Sequence, residues 1–178
     1  MVDGRPPLEL GLIGNEGMLG GTVVLGVASA PLRAVVKAPG TSLRLSATQL
    51  RSELRASSTL RHTLYRYLYV VAAQISQTAV CSRYHEADAR LARWLLLTHD
   101  RVHADHFHLT HQHLADMLGV QRSAVTIAAG TLQRKNLIGY RRGEIRILDR
   151  GGLEAASCEC YAAVVEDYSQ HFPVETAD

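Results

Sequence analysis

No run of the sequence approaches the roughly 18 uninterrupted apolar residues that a membrane helix requires, and its opening residues lack a basic region followed by an apolar core. Neither export nor a membrane partner is expected. Cysteine is scarce: Cys81, Cys158 and Cys160 are an odd, sparse set, which argues against a disulfide-stapled secreted domain and for a reducing, cytoplasmic setting. Cys158-Glu159-Cys160 is too short a spacing for the usual paired zinc ligands and has no second pair, so no metal site is expected, and reactive or structural thiols stay open. No Ser/His/Asp order, glycine-rich nucleotide loop or zinc-hydrolase motif appears, so the chain is not expected to be an enzyme, and no cofactor is expected. Basic residues are missing from residues 151–178, which hold 6 acidic groups and no Lys or Arg and read as an acidic C-terminal tail.

What remains is polarised. Residues 1–80 carry 8 basic and 4 acidic groups, and residues 81–150 carry 11 and 7, so each block is +4 although the whole chain is only +2. That allows a nucleic-acid partner without demanding one. With 47% hydrophobic and 20% charged residues, 178 residues suit two small globular domains.

The first 45 residues alternate apolar runs, Leu8 to Leu12, Thr22 to Val27, Leu32 to Val36 and Ser42 to Leu45, with glycine-rich breaks. This is a short-strand pattern, with too few strands for a closed core, and it reads as part of a larger β domain over residues 1–46. From Ala47 the register changes to helix. A short piece, Thr48 to Arg55, precedes a run from Ser58 to about Ser82 without Gly or Pro, in which Leu64, Leu68, Val71, Ile75 and Thr78 form one seam. The seam suits pairing with a second copy across residues 47–83, and packing on the β segment is the alternative. Tyr65, Tyr67 and Tyr69 read as packing groups. A further helix, His85 to His99, puts Leu91, Trp94, Leu95 and Thr98 on one face with Arg90 and Arg93 off it.

A polar loop rich in histidine follows, with His103, His106, His108, His111 and His113 spread along it and the next helix. Such density can ligate a transition metal, but a solvated loop and helix face is the expected reading. Thr110 is a plausible N-cap for a helix ending near Leu118-Gly119. After the glycine, Gln121 to Lys135 forms a second helix with Val125, Ala128, Ala129 and Leu132 facing inward. Two short helices around one glycine turn fit a helix-turn-helix. Tyr140 to Ile147 alternates around Arg142-Gly143, the pattern of a two-stranded hairpin, or wing.

The segment Leu109 to Leu148 has an LT start, an LA-x-x-LGV turn, an R-x-x-V second helix, an L-x-x-x-x-LI exit and an RG-x-I-x-IL hairpin. In these it resembles the winged helix-turn-helix of Crp/Fnr-type regulators. The resemblance implies an α+β chain: a partial, cyclic-nucleotide-binding-like β-roll (1–46), a long dimerisation helix (47–83) and a C-terminal winged helix-turn-helix (84–150). It further implies a sequence-specific transcription regulator acting as a homodimer on a two-fold operator in double-stranded DNA, with RNA polymerase as a further partner. The alternative is a small-molecule or metal sensing module whose winged helix serves protein contacts.

Residue types support the DNA reading independently. Gln121, Arg122, Ser123 and Thr126 in the first turn of a helix offer donors and acceptors sized for base edges in a major groove. Arg122 occupies the family's guanine-reading position, while Ser123 stands where glutamate is frequent and Ile127 where arginine or serine is frequent. Ile127 can meet a thymine methyl or simply pack. Thr110, Gln112, Arg141 and Arg142 are placed for phosphates, which set register without reading sequence. The resemblance also makes Gly20, Gly21 and Arg33 candidate effector residues, with Arg33 as the arginine that neutralises a cyclic phosphate. Gly21 stands where the family's cyclic-nucleotide binders carry a ribose-holding glutamate, and the earlier half of the roll is missing, so cyclic-nucleotide binding is not expected. The family's iron–sulfur sensors use N-terminal cysteines, and none precedes Cys81.

Overall fold

The computed structural model describes residues 8–102 and 104–172. The chain divides into two compact units. Residues 13–72 form one; residues up to Leu12 together with those from Ala73 onward form the other.

In the first unit the expected strands are not strands. Among the described residues before Ala47, the only regular element is a 3-10 helix at Gly21–Leu25. The physical reason is that strand propensity is realised only in a ladder, where each N–H and C=O finds a partner on a neighbouring strand. Here Leu32, Val35, Val36 and Leu43 are instead exposed. Helix α1, Ala47–Ala56, starts with a capping box in which Ser46 Oγ accepts from Gln49 N at 3.2 Å and Gln49 Oε1 accepts from Ser46 N at 3.0 Å. The long helix α2, Ser58–Tyr84, begins in this unit. Its Tyr67 is buried, and the hydroxyl donates to Met18 O and accepts from Met18 N, both at 3.0 Å. Tyr67 is thus the packing group expected, while Tyr65 and Tyr69 are exposed.

The second unit is built around α3, Ala87–Val102. Every residue from Leu91 to Thr98 is buried. The expected one-sided helix is therefore enclosed along this stretch, Arg93 included, whose guanidinium donates to Thr78 of the preceding helix at 3.1 Å. Around α3 stand β1 (His106–His108), α4 (His111–Leu118), α5 (Arg122–Arg134), β2 (Ile138–Arg141), β3 (Glu144–Ile147), α6 (Arg150–Ala156) and α7 (Cys160–His171). The three strands form one antiparallel sheet in the order β1-β3-β2, with Phe107 and Tyr140 both opposite Ile145. Leu91, Leu95, Leu96, Leu114, Val125, Leu132, Ile138, Ile145 and Leu153 are almost fully buried in one core.

Residues 150–171 are not a tail. Leu153 of α6 is fully buried, Tyr161 and Val164 of α7 are in the same core, and the other expected tail residues, 173–178, lie outside the described residues. A polar hub fastens both helices to α3. Arg150 pairs with Asp100 at 2.8 Å and Glu154 at 3.0 Å, and donates to Tyr161 Oη at 2.8 Å and His99 Nδ1 at 2.6 Å. Tyr161 Oη donates to Asp100 at 3.0 Å. Burial and the Asp100 carboxylate push the Tyr161 hydroxyl up to about 12. One of the acidic residues that suggested a solvated tail, Glu154, thus serves as a partner of this arginine.

Because Leu153 is fully enclosed, Leu153→Ala should destabilise the second unit by about 2–5 kcal/mol through lost burial and a residual cavity. Urea denaturation followed by tryptophan fluorescence of Trp94 checks this. A change below about 0.5 kcal/mol, the size usual at surface positions, would show that α6 is not part of the core.

Candidate nucleic-acid interface

Local chemistry sets up α4 and α5. Thr110, in extended conformation, accepts from His113 N at 3.2 Å and caps α4. Gly119 ends it at φ 65, with its N–H directed to Ala115 O and Asp116 O. The left-handed backbone there favours glycine, while the nearest neighbour a Cβ would meet is the mobile end of the exposed Leu8 side chain. Gln121 begins α5 without a side-chain cap bond. Val125, Ala128, Ala129 and Leu132 are buried, which turns the opposite face of the helix to solvent.

That face holds the candidates. Gln121, Arg122, Ser123, Thr126 and Ile127 are all exposed, Ile127 by 69%, so Ile127 is not a packing residue within the chain. Arg122 forms no salt bridge among the described residues. The other polar groups are already engaged inside the chain: Thr126 Oγ1 donates to Arg122 O at 3.0 Å, Gln112 donates to Asp116 at 2.8 Å, and Ser123 donates to Gln121 at 3.5 Å. Thr110 and Gln112 are exposed at the start of α4.

The wing is a two-residue hairpin closed by Arg142 and Gly143, both at positive φ (52 and 84), as a type I′ turn demands. Arg141 and Arg142 are exposed at its tip. The third strand was not foreseen. Its sequence signal was the alternation His106-Phe107-His108, which buries Phe107 and leaves both histidines exposed, His106 opposite the exposed Arg146. Lys135, after α5, and Arg146 add further exposed cationic groups.

His111 joins the parts. It stacks on Tyr140 of the wing, with ring centroids 4.5 Å apart and planes 18° from parallel, and its Nδ1 lies 2.9 Å from Thr126 Oγ1 in the first turn of α5. Tyr140 Oη donates in turn to Leu109 O at 3.0 Å. Burial and then the Arg122 charge hold the imidazole below its ordinary value, and burial raises the Tyr140 phenol. Among the described residues of the histidine-rich segment, His106 and His108 lie on β1, His113 is exposed on α4, and His111 is a cross-brace. His103 lies outside the described residues.

The effector candidates belong to the unit of residues 13–72. Gly20, at φ 81, precedes the 3-10 helix that Gly21 begins, and Arg33 is exposed in irregular chain.

Two helices crossing at a glycine turn, with an exposed polar and cationic second helix and a basic hairpin beside it, define a winged helix-turn-helix. Residues 89–156 match the family model of the Crp-like helix-turn-helix domain, and this part of the chain is such a domain. Among solved structures the chain is similar to FixK2 from Bradyrhizobium japonicum, at 17% identity and a TM-score of 0.57 over 64% of this chain and 60% of that one. A Crp/Fnr-family transcriptional regulator from Eubacterium rectale matches at 22% identity, with a TM-score of 0.48 over 62% of this chain and 51% of that one. Another from Thermus thermophilus matches at 25% identity, with a TM-score of 0.48 over 52% and 51%. The chain thus spans between 51% and 60% of the length of these structures. No curated protein matches it. Among the described residues no helix is long and apolar enough to cross a membrane.

The depressed His111 value has a pH consequence. The unfolded imidazole takes up a proton near 6.5, while the folded one resists it. The contribution of His111 to stability is therefore present above about pH 6.5 and is lost as pH falls through that value toward the lower folded one. His111→Phe keeps the stack and cannot titrate, so its stability relative to wild type should rise as pH is lowered from about 7.5 to 5.5. Equal pH slopes for both proteins in thermal unfolding would contradict this.

Proposed function

We propose that the chain is a sequence-specific DNA-binding transcription regulator that acts as a homodimer on a two-fold operator. The observation that carries this is the exposed first turn of α5, with Arg122 unpaired on a helix held from behind by four buried residues in a Crp-like domain. In this reading α5 enters the major groove and Arg122 donates two hydrogen bonds to guanine O6 and N7. Gln121, Ser123 and Thr126 border the same bases, and Ile127 meets a thymine methyl. Thr110, Gln112, Arg141 and Arg142 hold phosphates. RNA polymerase is the partner through which such a regulator acts, and the cytoplasm is its compartment. Nothing in this role calls for catalysis.

The long helix supplies the dimer in this proposal. Within the protomer, α2 buries Tyr67, Val70, Gln74 and Cys81, whereas Leu64, Leu68, Val71, Ile75 and Thr78 stay only partly covered. A half-covered apolar seam on a 27-residue helix suits pairing about a two-fold axis. Residues 47–83 then form the dimerisation region, and those from about 84 the DNA-binding domain.

Arg122→Ala should leave the fold intact, cost about 1–3 kcal/mol on the cognate site and change affinity for random DNA little. Arg142→Asn keeps a residue that tolerates the left-handed turn, so the hairpin persists. It should weaken binding to all sequences alike, reducing the salt slope by about one unit. Competition binding at several salt concentrations separates the two. An unchanged ratio of cognate to random affinity in Arg122→Ala would remove α5 as the reader. Ile75→Lys is the cleaner probe of the dimer, since Leu68 already packs against Gly21 within the protomer. Light scattering should report a monomer for this variant and a dimer for the wild type.

A further inference from the structure

The sequence separates Cys81 from Cys158 and Cys160 by more than seventy positions, and the fold of the second unit brings them together. Cys81 lies in the last turn of α2 and His85 follows one turn later, its N–H donating to Cys81 O at 3.1 Å. Cys158 precedes α7 and Cys160 begins it. One donor atom from each of Cys81, His85, Cys158 and Cys160 lies within 4.8 Å of all the others. Cys81 Sγ and Cys158 Sγ are 3.5 Å apart, as are Cys160 Sγ and His85 Nδ1. The three thiols are free and buried.

We propose that Cys81, His85, Cys158 and Cys160 bind one Zn²⁺ ion in a tetrahedral Cys₃His site that fastens the end of α2 to the start of α7. Distances decide between a single ion and a cluster. Zinc bonds of about 2.3 Å to sulfur and 2.0–2.1 Å to nitrogen, set tetrahedrally, put donors about 3.8 Å apart for two sulfurs and about 3.6 Å for sulfur and nitrogen. The observed 3.5 Å separations match. In an iron–sulfur cluster at least some donors bind different irons and must stand further apart than the 4.8 Å within which all four lie here. Four donors with no open position describe a structural rather than a catalytic zinc, and thiolate with imidazole excludes the oxygen-seeking ions.

The surroundings are those of a metal site. His85 Nε2 lies 3.1 Å from Glu159 Oε1, which fixes the proton on Nε2 and leaves the Nδ1 lone pair turned to the cysteines. Gln77 Nε2 donates to Cys160 Sγ at 3.0 Å. Arg93 is buried, donates to Thr78 Oγ1 at 3.1 Å, has a buried Nε without a partner, and forms no salt bridge among the described residues. A buried guanidinium without an anion is costly. Three thiolates, a neutral imidazole and Zn²⁺ carry a net charge of −1, and Arg93 acts electrostatically on Cys81. Binding releases the three thiol protons to solvent, with no change in oxidation state.

The test uses the full chain purified under reducing conditions and needs no DNA, so its outcome is independent of the proposed regulatory function. Mass spectrometry should find one zinc per chain. After removal by chelation, one equivalent of Co²⁺ should give the intense visible absorption of tetrahedral thiolate coordination, and zinc should displace it. Loss of the metal should lower Tm by several degrees. Because Cys81→Ser can simply unfold the core, the deciding variants are His85→Ala, at a partly exposed position, and Glu159→Ala, at an exposed one. The first should abolish the cobalt spectrum, and the second should weaken zinc binding about tenfold. A folded wild-type chain that gives only the weak spectrum of octahedral Co²⁺, or that carries a Cys81–Cys158 disulfide when isolated, would overturn the proposal.

Discussion

Everything that presents the second unit to its surroundings rests on the burial of α3. Eight consecutive residues, Leu91–Thr98, are buried, so the helix can exist only with partners on every side. Helices α4 and α5 pack on it, as do α6 and α7, and Thr78 of α2 and Glu9 accept hydrogen bonds from its Arg93 and Trp94. Helix α5 owes its orientation to this arrangement. Its four buried residues are committed to the core, so its polar turn cannot rotate inward without breaking the packing.

The polar face is braced rather than merely exposed. Thr126 and His111 tie the first turn of α5 to the start of α4, and the stack on Tyr140 ties both to the wing. Among the described residues Arg122 forms no salt bridge, and burial, followed by its charge, disfavours protonation of His111.

What could be read from the sequence was what is determined locally. Thr110 as cap, Gly119 as turn and the inward face of α5 depend on neighbours within a few residues, and all three are found as expected. So is the Arg142-Gly143 hairpin, together with the helical register from Ala47 and the α+β class. The runs between Leu8 and Leu45 were misread as strands because a ladder depends on a distant partner, whereas apolar alternation is visible without one. Residues 151–171 read as a tail because charge dominates there, while the few residues that anchor them, Leu153, Tyr161 and Val164, are too widely spaced to announce a core. The four converging donors were missed for a related reason. Cys158-x-Cys160 was weighed alone, although Cys81-x-x-x-His85 at the end of a helix offered the complementary pair at one-turn spacing.

The central claim is that α5 reads bases through the major groove with Arg122 on guanine. Methylation interference tests it most directly, because methylating guanine N7 blocks the acceptor that Arg122 would use while leaving the phosphates untouched. The account predicts that N7 methylation of one guanine in each half of a bound site abolishes binding by the wild type and has no effect on the residual binding of Arg122→Ala. Interference confined to adenine N3 in the minor groove, or the same N7 pattern in both proteins, would contradict it.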